Sequence, residues 1–210
     1  MKLIDSKVGD YLDIVKSDEP APGGGSASAL IGAQGMALLV MVCELTLKKE
    51  KYSQYHDDCL RGKEASQKLL NDLIKYFDED TEAYAMAAGG YKMPRETEAQ
   101  KASRAEVINS GTEWAAKVPL SVMKAAREGL IIISGLMGKT NPNAMSDLGV
   151  AVISLQTCAR GALLNVTINL PGIADGKLSG YYHEESKRIC RDVDEIAEEL
   201  YDSITREIAL

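Results

Sequence analysis

Three stretches of this sequence combine residue types that can do chemistry. In Pro20-Ala21-Pro22-Gly23-Gly24-Gly25-Ser26, three consecutive glycines stand just ahead of an apolar, helix-forming run. Glycine opens backbone conformations closed to other residues and lets a ligand approach the main chain. A following helix N-terminus adds free amide donors at the positive end of its dipole. No strand precedes the glycines and no Gly-Lys-Ser/Thr follows them, so this is neither a P-loop nor a dinucleotide fingerprint. It reads equally as a tight turn and as a ligand cradle formed by Pro22, Gly23, Gly24, Gly25 and Ser26.

The second stretch is Asp78-Glu79-Asp80-Thr81-Glu82-Ala83-Tyr84. Asp80 follows Phe77 by three and precedes Tyr84 by four, which places it on an apolar helical stripe. A carboxylate on a buried face is costly unless partnered, so Asp80 is either a functional acid or base or the partner of a neighbouring helix terminus or lysine. Asp78, Glu79 and Glu82 fall off the stripe and are expected in solvent. The third stretch is a polar seam along an apolar helix: Asp147, Ser154, Thr157 or Cys158, Gly161, Asn165 and Asn169. Such a seam suits a ligand cleft between helices or interhelical hydrogen bonding beside a close glycine contact. Arg160 fits either a bound carboxylate or a protein acid.

These residues need helices to hold them. Val8, Tyr11, Leu12 and Val15 predict a short amphipathic helix to about Lys16. After the glycine loop Ser26 is a good N-cap, so the second helix is expected over 26–48, with Ala29, Gly32, Ala33, Gly35 and Met36 permitting close neighbours. A third should run over 53–88 and stop at Gly89-Gly90, its stripe being Leu70, Leu73, Ile74, Phe77 and Tyr84. Thr97 to Trp114 is a helical stretch, and Pro119 marks the start of, or a kink in, the next, which ends near Leu136. Gly138 to Asn143 is a loop. Ser146 should cap a helix to about Leu170, and Ile189, Val193, Ile196, Leu200 and Ile204 share one face of a last helix over 180–209. No stretch reads as a convincing strand. The expectation is one all-α domain over 1–210, a bundle of about six helices.

Composition agrees: 45% of the 210 residues are hydrophobic and only 5% aromatic, which suits helices packed through small side chains. The formal net charge of -7 argues against general nucleic-acid binding, which needs cations to replace phosphate counterions. Basic residues gather locally at Lys48-Lys49-Glu50-Lys51 and recur at Lys92, Arg95 and Lys139. They read as solvated helix ends or as contacts to an anionic ligand, with Lys51 the candidate at the entrance. Cys43, Cys59, Cys158 and Cys190 are scattered, as reduced core residues of a cytoplasmic protein would be. His56 and His183 share no metal-ligand spacing, and no metal site is expected. The apolar run from Ala27 to Cys43 is shorter than the ~20 residues of a membrane span. A soluble protein is expected.

Several ordered motifs resemble the cyclodeaminase/cyclohydrolase family, the C-terminal unit of formiminotransferase-cyclodeaminases. They are Ala21-Pro22-Gly23-Gly24-Gly25-Ser26-Ala27-Ser28-Ala29-Leu30, then Leu45-Thr46 with Lys48 to Tyr52, and Asp80-Thr81-Glu82-Ala83-Tyr84 reaching Met93-Pro94. Ser146-Asp147-Leu148-Gly149-Val150-Ala151 and Gly161-Ala162-Leu163-Leu164-Asn165-Val166-Thr167-Ile168-Asn169-Leu170 complete the set, and the resemblance spans roughly residues 3 to 205. Relatives commonly carry Gly-Lys where this chain has Lys48-Lys49, a departure in that wall.

The resemblance implies an all-helical homodimer that binds a tetrahydrofolate substrate and needs no further cofactor and no metal. The family's proposed catalytic aspartate falls between Asp78 and Asp80, and the Ala-Tyr that follows favours Asp80. Asp147 stands second, with Asn165 and Asn169 on the pterin or the attacking water. Two reactions suit such a site: hydrolysis of 5,10-methenyl-tetrahydrofolate to 10-formyl-tetrahydrofolate, and cyclisation of 5-formimino-tetrahydrofolate with loss of ammonia. A partly buried carboxylate serves both by favouring the amidinium cation and moving the proton. The stand-alone architecture leans towards the cyclohydrolase. A non-catalytic bundle that binds folate or a partner protein is the reading from another class.

Overall fold

The computed structural model describes residues 2–209, and among these there is no strand. Six α-helices follow in order: α1 (Val8–Val15), α2 (Gly24–Leu47), α3 (His56–Tyr91), α4 (Glu98–Leu136), α5 (Met145–Asn169) and α6 (Gly176–Ile208), with short 3-10 turns between them. The all-α expectation holds. Helix α2 is the central element, packed against both α3 and α5, while α4 closes the bundle from α3 round to α5 and α6. The core includes Met36, Leu39 and Val42 of α2, Leu73 and Phe77 of α3, Met123, Leu130 and Ile133 of α4, Leu148 and Leu155 of α5, and Ile189, Val193 and Ile204 of α6.

The boundaries differ from expectation for physical reasons. Helix α3 continues through Gly89 and Gly90 to Tyr91. A Cβ on Gly90 would meet Ile108 Cγ1 at 2.7 Å, and one on Gly111 would meet the Ala87 backbone nitrogen at 2.6 Å. These glycines bring two helices together and do not break one.

Helix α4 is a single helix with Pro119 inside it, opened by a capping box between Thr97 and Gln100. Proline lacks the N–H that would bond the carbonyl four residues back, here Ala115. Asn169 supplies the missing donor: its Nδ2 donates to Ala115 O at 3.0 Å and to Asn165 O at 2.8 Å. The proline therefore sits in an uninterrupted helix. Helix α6 starts one turn earlier than expected because Asp175 Oδ1 accepts from Lys177 N and Leu178 N at 2.8 and 3.3 Å.

Helices α2 and α5 run antiparallel. Gly24 faces Asn165, Gly32 faces Cys158, and Gly35 faces Ser154 and Leu155. The middle of the polar seam on α5 is therefore a packing line of small residues, and the interhelical reading is the correct one for Ser154, Cys158 and Gly161. Cys43, Cys59 and Cys158 are buried and Cys190 half-buried, all as free thiols. By length and apolar composition two stretches, Gly24–Leu47 and Pro142–Gly172, are long enough to cross a membrane. They contain α2 and α5, which pack on each other in the bundle core.

Candidate functional site

The glycine loop does more than turn the chain. Ala21-Pro22 is a cis peptide, and helix α2 starts at Gly24 with Gly23 as its N-cap. Ser26 is therefore in the first turn of the helix, and its expected role as N-cap is corrected. Its first-turn amide is instead satisfied from α3: Ser26 N and Ser26 Oγ donate to Asp80 Oδ2 at 2.8 and 3.0 Å. Ser26 Oγ also lies 3.2 Å from Thr81 Oγ1. Asp80 thus sits against the positive end of α2, where a carboxylate is favoured. Gly25 is what allows it so close, since a Cβ there would overlap Asp80 Oδ1.

Two readings of Asp80 were open from sequence, and the structure shows the one in which it partners a neighbouring helix terminus. One oxygen caps α2, while Oδ1 accepts no hydrogen bond among the described residues. Burial pushes the carboxyl above the usual aspartate range, and the hydrogen bonds from the Ser26 hydroxyl and amide oppose that rise. Tyr11, from α1, joins the same place. Its ring lies edge-on to Phe77 with centroids 5.3 Å apart, and its phenol is pushed up by burial first and by the Asp80 charge second. Sequence reasoning missed Tyr11 as a site residue. It is the one member of its stripe that is buried, Val8 and Leu12 being 76% and 55% exposed.

Asn165 closes the site from α5. Its Nδ2 donates to Gly161 O at 2.9 Å, and a Cβ on Gly24 would come within 3.3 Å of it. Ser28 Oγ donates to Gly24 O at 2.7 Å and packs against Gly161. The fold therefore brings together Pro22, Gly23, Gly24, Gly25, Ser26, Asp80 and Asn165. Asn169 lies one turn beyond Asn165 with its amide donor committed to Ala115 and Asn165 carbonyls, and it borders a cavity with Tyr84 and Tyr91.

Asp147 and Lys51 are elsewhere. Eighteen residues of α5 separate Asp147 from Asn165, or ~27 Å at 1.5 Å per residue. Lys51 stands over the Tyr52 ring in the 3-10 turn after the C-terminal end of α2. A single chain does not unite Asp80 with Asp147 and Lys51, which corrects the expectation of one cluster. Asp78 is also resolved: its Oδ1 accepts from Leu3 N and Ile4 N at 2.8 and 3.4 Å. It ties down the N-terminal segment and is not solvated as expected. Arg160 bonds Asp194 Oδ1 at 2.8 Å, linking α5 to α6. Among the described residues no three of His, Cys, Asp and Glu gather in a way that could hold a metal ion.

This geometry has relatives. The family model described as formiminotransferase-cyclodeaminase matches residues 7–188. A methenyltetrahydrofolate cyclohydrolase from Methylorubrum extorquens is 34% identical, over 94% of this chain and 95% of its own. A formimidoyltransferase-cyclodeaminase from Rattus norvegicus is 29% identical over 82% of this chain, which spans only 32% of that longer protein. The crystal structure of formiminotetrahydrofolate cyclodeaminase from Thermotoga maritima shares the fold, with a TM-score of 0.87 over 99% of this chain and 100% of its own at 23% identity. Matched over most of its length, the chain belongs to the formiminotransferase-cyclodeaminase family.

Proposed function

We propose that the chain is a folate one-carbon enzyme that hydrolyses 5,10-methenyl-tetrahydrofolate to 10-formyl-tetrahydrofolate. The observation that carries this is the half-capped Asp80 carboxylate, held at the glycine loop beside Asn165. The methenyl carbon is part of a cationic amidinium between N5 and N10, and an ionised Asp80 stabilises that charge. Asp80 Oδ1 takes a proton from the attacking water as its oxygen bonds the methenyl carbon. The carbon–N5 bond then breaks, the proton passes to N5, and the second water proton leaves to solvent as the formyl group forms on N10. Asn165 orients the water or the pterin.

The near full-length similarity to the Methylorubrum cyclohydrolase favours this reading. Similarity to the formimidoyltransferase-cyclodeaminases favours a second, in which N10 attacks the N5-formimino carbon and ammonia leaves. Loss of the methenyl absorbance, measured beside ammonia release from 5-formimino-tetrahydrofolate, separates them. Ammonia release alone would reverse the assignment, and neither activity in a folded protein would remove it.

The working form we infer is a cytoplasmic homodimer. Leu30, Ile31, Ala37, Leu38 and Met41 of α2 and Val150, Ile153 and Leu164 of α5 turn an apolar strip outward, with Val150 51% and Leu164 70% exposed. Soluble chains rarely leave so continuous a strip uncovered. A two-fold axis across the middle of that strip would set the Asp147 and Lys51 end of one copy beside the Asp80 end of the other, with folate near the boundary. Light scattering tests it, and an active monomer would overturn the arrangement.

A further inference from the structure

An arginine without an acidic partner stands beside Tyr91, at the rim of a cavity that runs along α3 from Tyr84. Arg127, Arg160 and Arg188 each hold a carboxylate of α6. Arg104, on α4, holds none among the described residues. Its Nε is buried and has no hydrogen-bond partner, and its guanidinium lies 5.5 Å from the centre of the Tyr91 ring. A buried donor without an acceptor is costly, and native proteins leave few of them. The Tyr91 ring holds the guanidinium in place and leaves its terminal N–H groups for a ligand.

The surface on the Asp80 side of Arg104 carries exposed aromatic and aliphatic side chains. Tyr84, Ala87, Tyr91, Thr112, Ile168 and Asn169 border a cavity of about 320 Å³. Tyr84, Tyr91 and Ile168 are 42%, 63% and 77% exposed there. Asp80, Tyr84, Ala87 and Tyr91 follow at spacings of four, three and four, so they lie along one face of α3. Asp80 and Tyr91 are eleven residues apart, ~16 Å along the helix. An aminobenzoyl ring, its amide and one glutamate, laid end to end, cover that span.

We propose that this groove binds the aminobenzoyl-glutamate half of the folate, with Arg104 clasping a glutamate carboxylate and the tyrosines and Ile168 flanking the ring. This rests on the folate reading above and goes beyond it. It locates the tail at the α3–α4 end of the chain, far from the Lys48–Lys51 run.

The test compares 5,10-methenyl-tetrahydrofolate with 5,10-methenyl-tetrahydropteroate, which lacks the glutamate. Arg104→Ala should raise KM for the first by about ten- to a hundredfold, the loss expected for charge-assisted hydrogen bonds, with kcat near wild type. KM for the pteroate should be the same in variant and wild type. Arg104→Lys, which keeps the charge but not the fork, should fall between. A KM for the glutamate-bearing substrate that does not move, or an equal rise for both substrates, overturns the assignment. If the wild type turns over neither, the catalytic reading has failed and calorimetry decides the groove separately. Binding of p-aminobenzoyl-glutamate but not p-aminobenzamide, abolished in Arg104→Ala, keeps Arg104 as the carboxylate site. Binding that ignores Arg104, or no binding, removes it.

Discussion

The two ends of α2 differ in what holds their acidic groups: ion pairs at one end, a helix terminus at the other. At the C-terminal end Thr46 Oγ1 donates to Val42 O at 2.8 Å and accepts from Asn141 N at 2.9 Å. Tyr52 reaches Asn141 Oδ1 at 3.3 Å, Lys63 pairs with Glu44 at 2.6 Å, and Lys139 pairs with Asp58 at 3.2 Å. Protein groups pair with protein groups here, Thr140 Oγ1 excepted, which is buried without a partner. At the N-terminal end Asp80 and Asn165 are each held by one atom and leave another, Asp80 Oδ1 and Asn165 Oδ1, without a partner among the described residues. Positioned but incomplete polar groups are what a ligand site requires, and family motifs alone, present at both ends, do not make that distinction.

The largest effect expected from breaking this difference is at Asp80. Asp80→Asn should lower kcat by about 100- to 10,000-fold, the range for a positioned acid or base. Stability should change little, because burial disfavours the charge there and the amide oxygen still accepts from Ser26. A folded Asp80→Asn protein with wild-type turnover would falsify the assignment. Asp147→Asn, at the other end, should lose less.

Next come the glycines. Gly25→Ala would press a methyl into Asp80, costing about 1–3 kcal/mol and most of the activity, as overpacking does. Gly89→Ala meets nothing within 4 Å and should be neutral or slightly stabilising, since alanine favours helix. Equal melting temperatures for the two variants would show that the loop relaxes freely. At the border of the groove, Asn169→Ala should cost about 1–3 kcal/mol by orphaning the Ala115 carbonyl. The paired variant Asn169→Ala/Pro119→Ala should regain part of it, because the restored N–H bonds that carbonyl. Denaturant unfolding of both decides.

How much of this could be read in the sequence follows the same division. The stripe through Phe77, Asp80 and Tyr84 and the run of glycines needed only local spacing, and both were legible. That Asp80 caps α2, that Tyr11 joins it, and that Asn169 covers for Pro119 depend on contacts 54 to 69 residues apart, which spacing within one helix does not encode. Asp147 and Lys51 were drawn to the site by motif, yet the antiparallel pairing of α2 and α5 sends them to the opposite end.

A pH profile sharpens the electrostatics. In the proposed mechanism Asp80 works ionised, and burial holds its carboxyl above the ordinary aspartate range, so the rising limb of kcat/KM should lie above that range as well. Ser26→Ala removes the hydroxyl that opposes the rise, so the limb should move further to alkaline pH. The native state binds this proton more tightly than the unfolded chain does. The stability due to Asp80 is therefore full below the unfolded aspartate pKa and is lost as pH rises through the folded one. A limb that moves to acid in Ser26→Ala would contradict the Ser26–Asp80 coupling.

The smallest effect is expected at the Lys48, Lys49 and Lys51 run, and it bears on whether the two ends ever meet. Within one chain, Gly24 and Leu47 are 23 residues apart, ~35 Å along α2. That is several Debye lengths at physiological salt, so changing all three lysines to Gln could not reach Asp80 or its substrate through solvent. In the two-fold dimer proposed above, the run of one copy would lie near the Asp80 end of the other, and its charges would contribute to the field that an anionic folate meets on entry. KM for methenyl-tetrahydrofolate should then rise by no more than about threefold, as expected for exposed charges at the rim of a site. The rise should shrink as salt is added and should not alter kcat. A monomerising variant, Ile153→Glu in the apolar strip, should erase the lysine dependence if it retains turnover. A KM indifferent to the lysines at low salt, in a protein that light scattering shows to be dimeric, would mean that the copies meet by another face. The two ends of α2 would then be as separate in the assembly as they are in the chain.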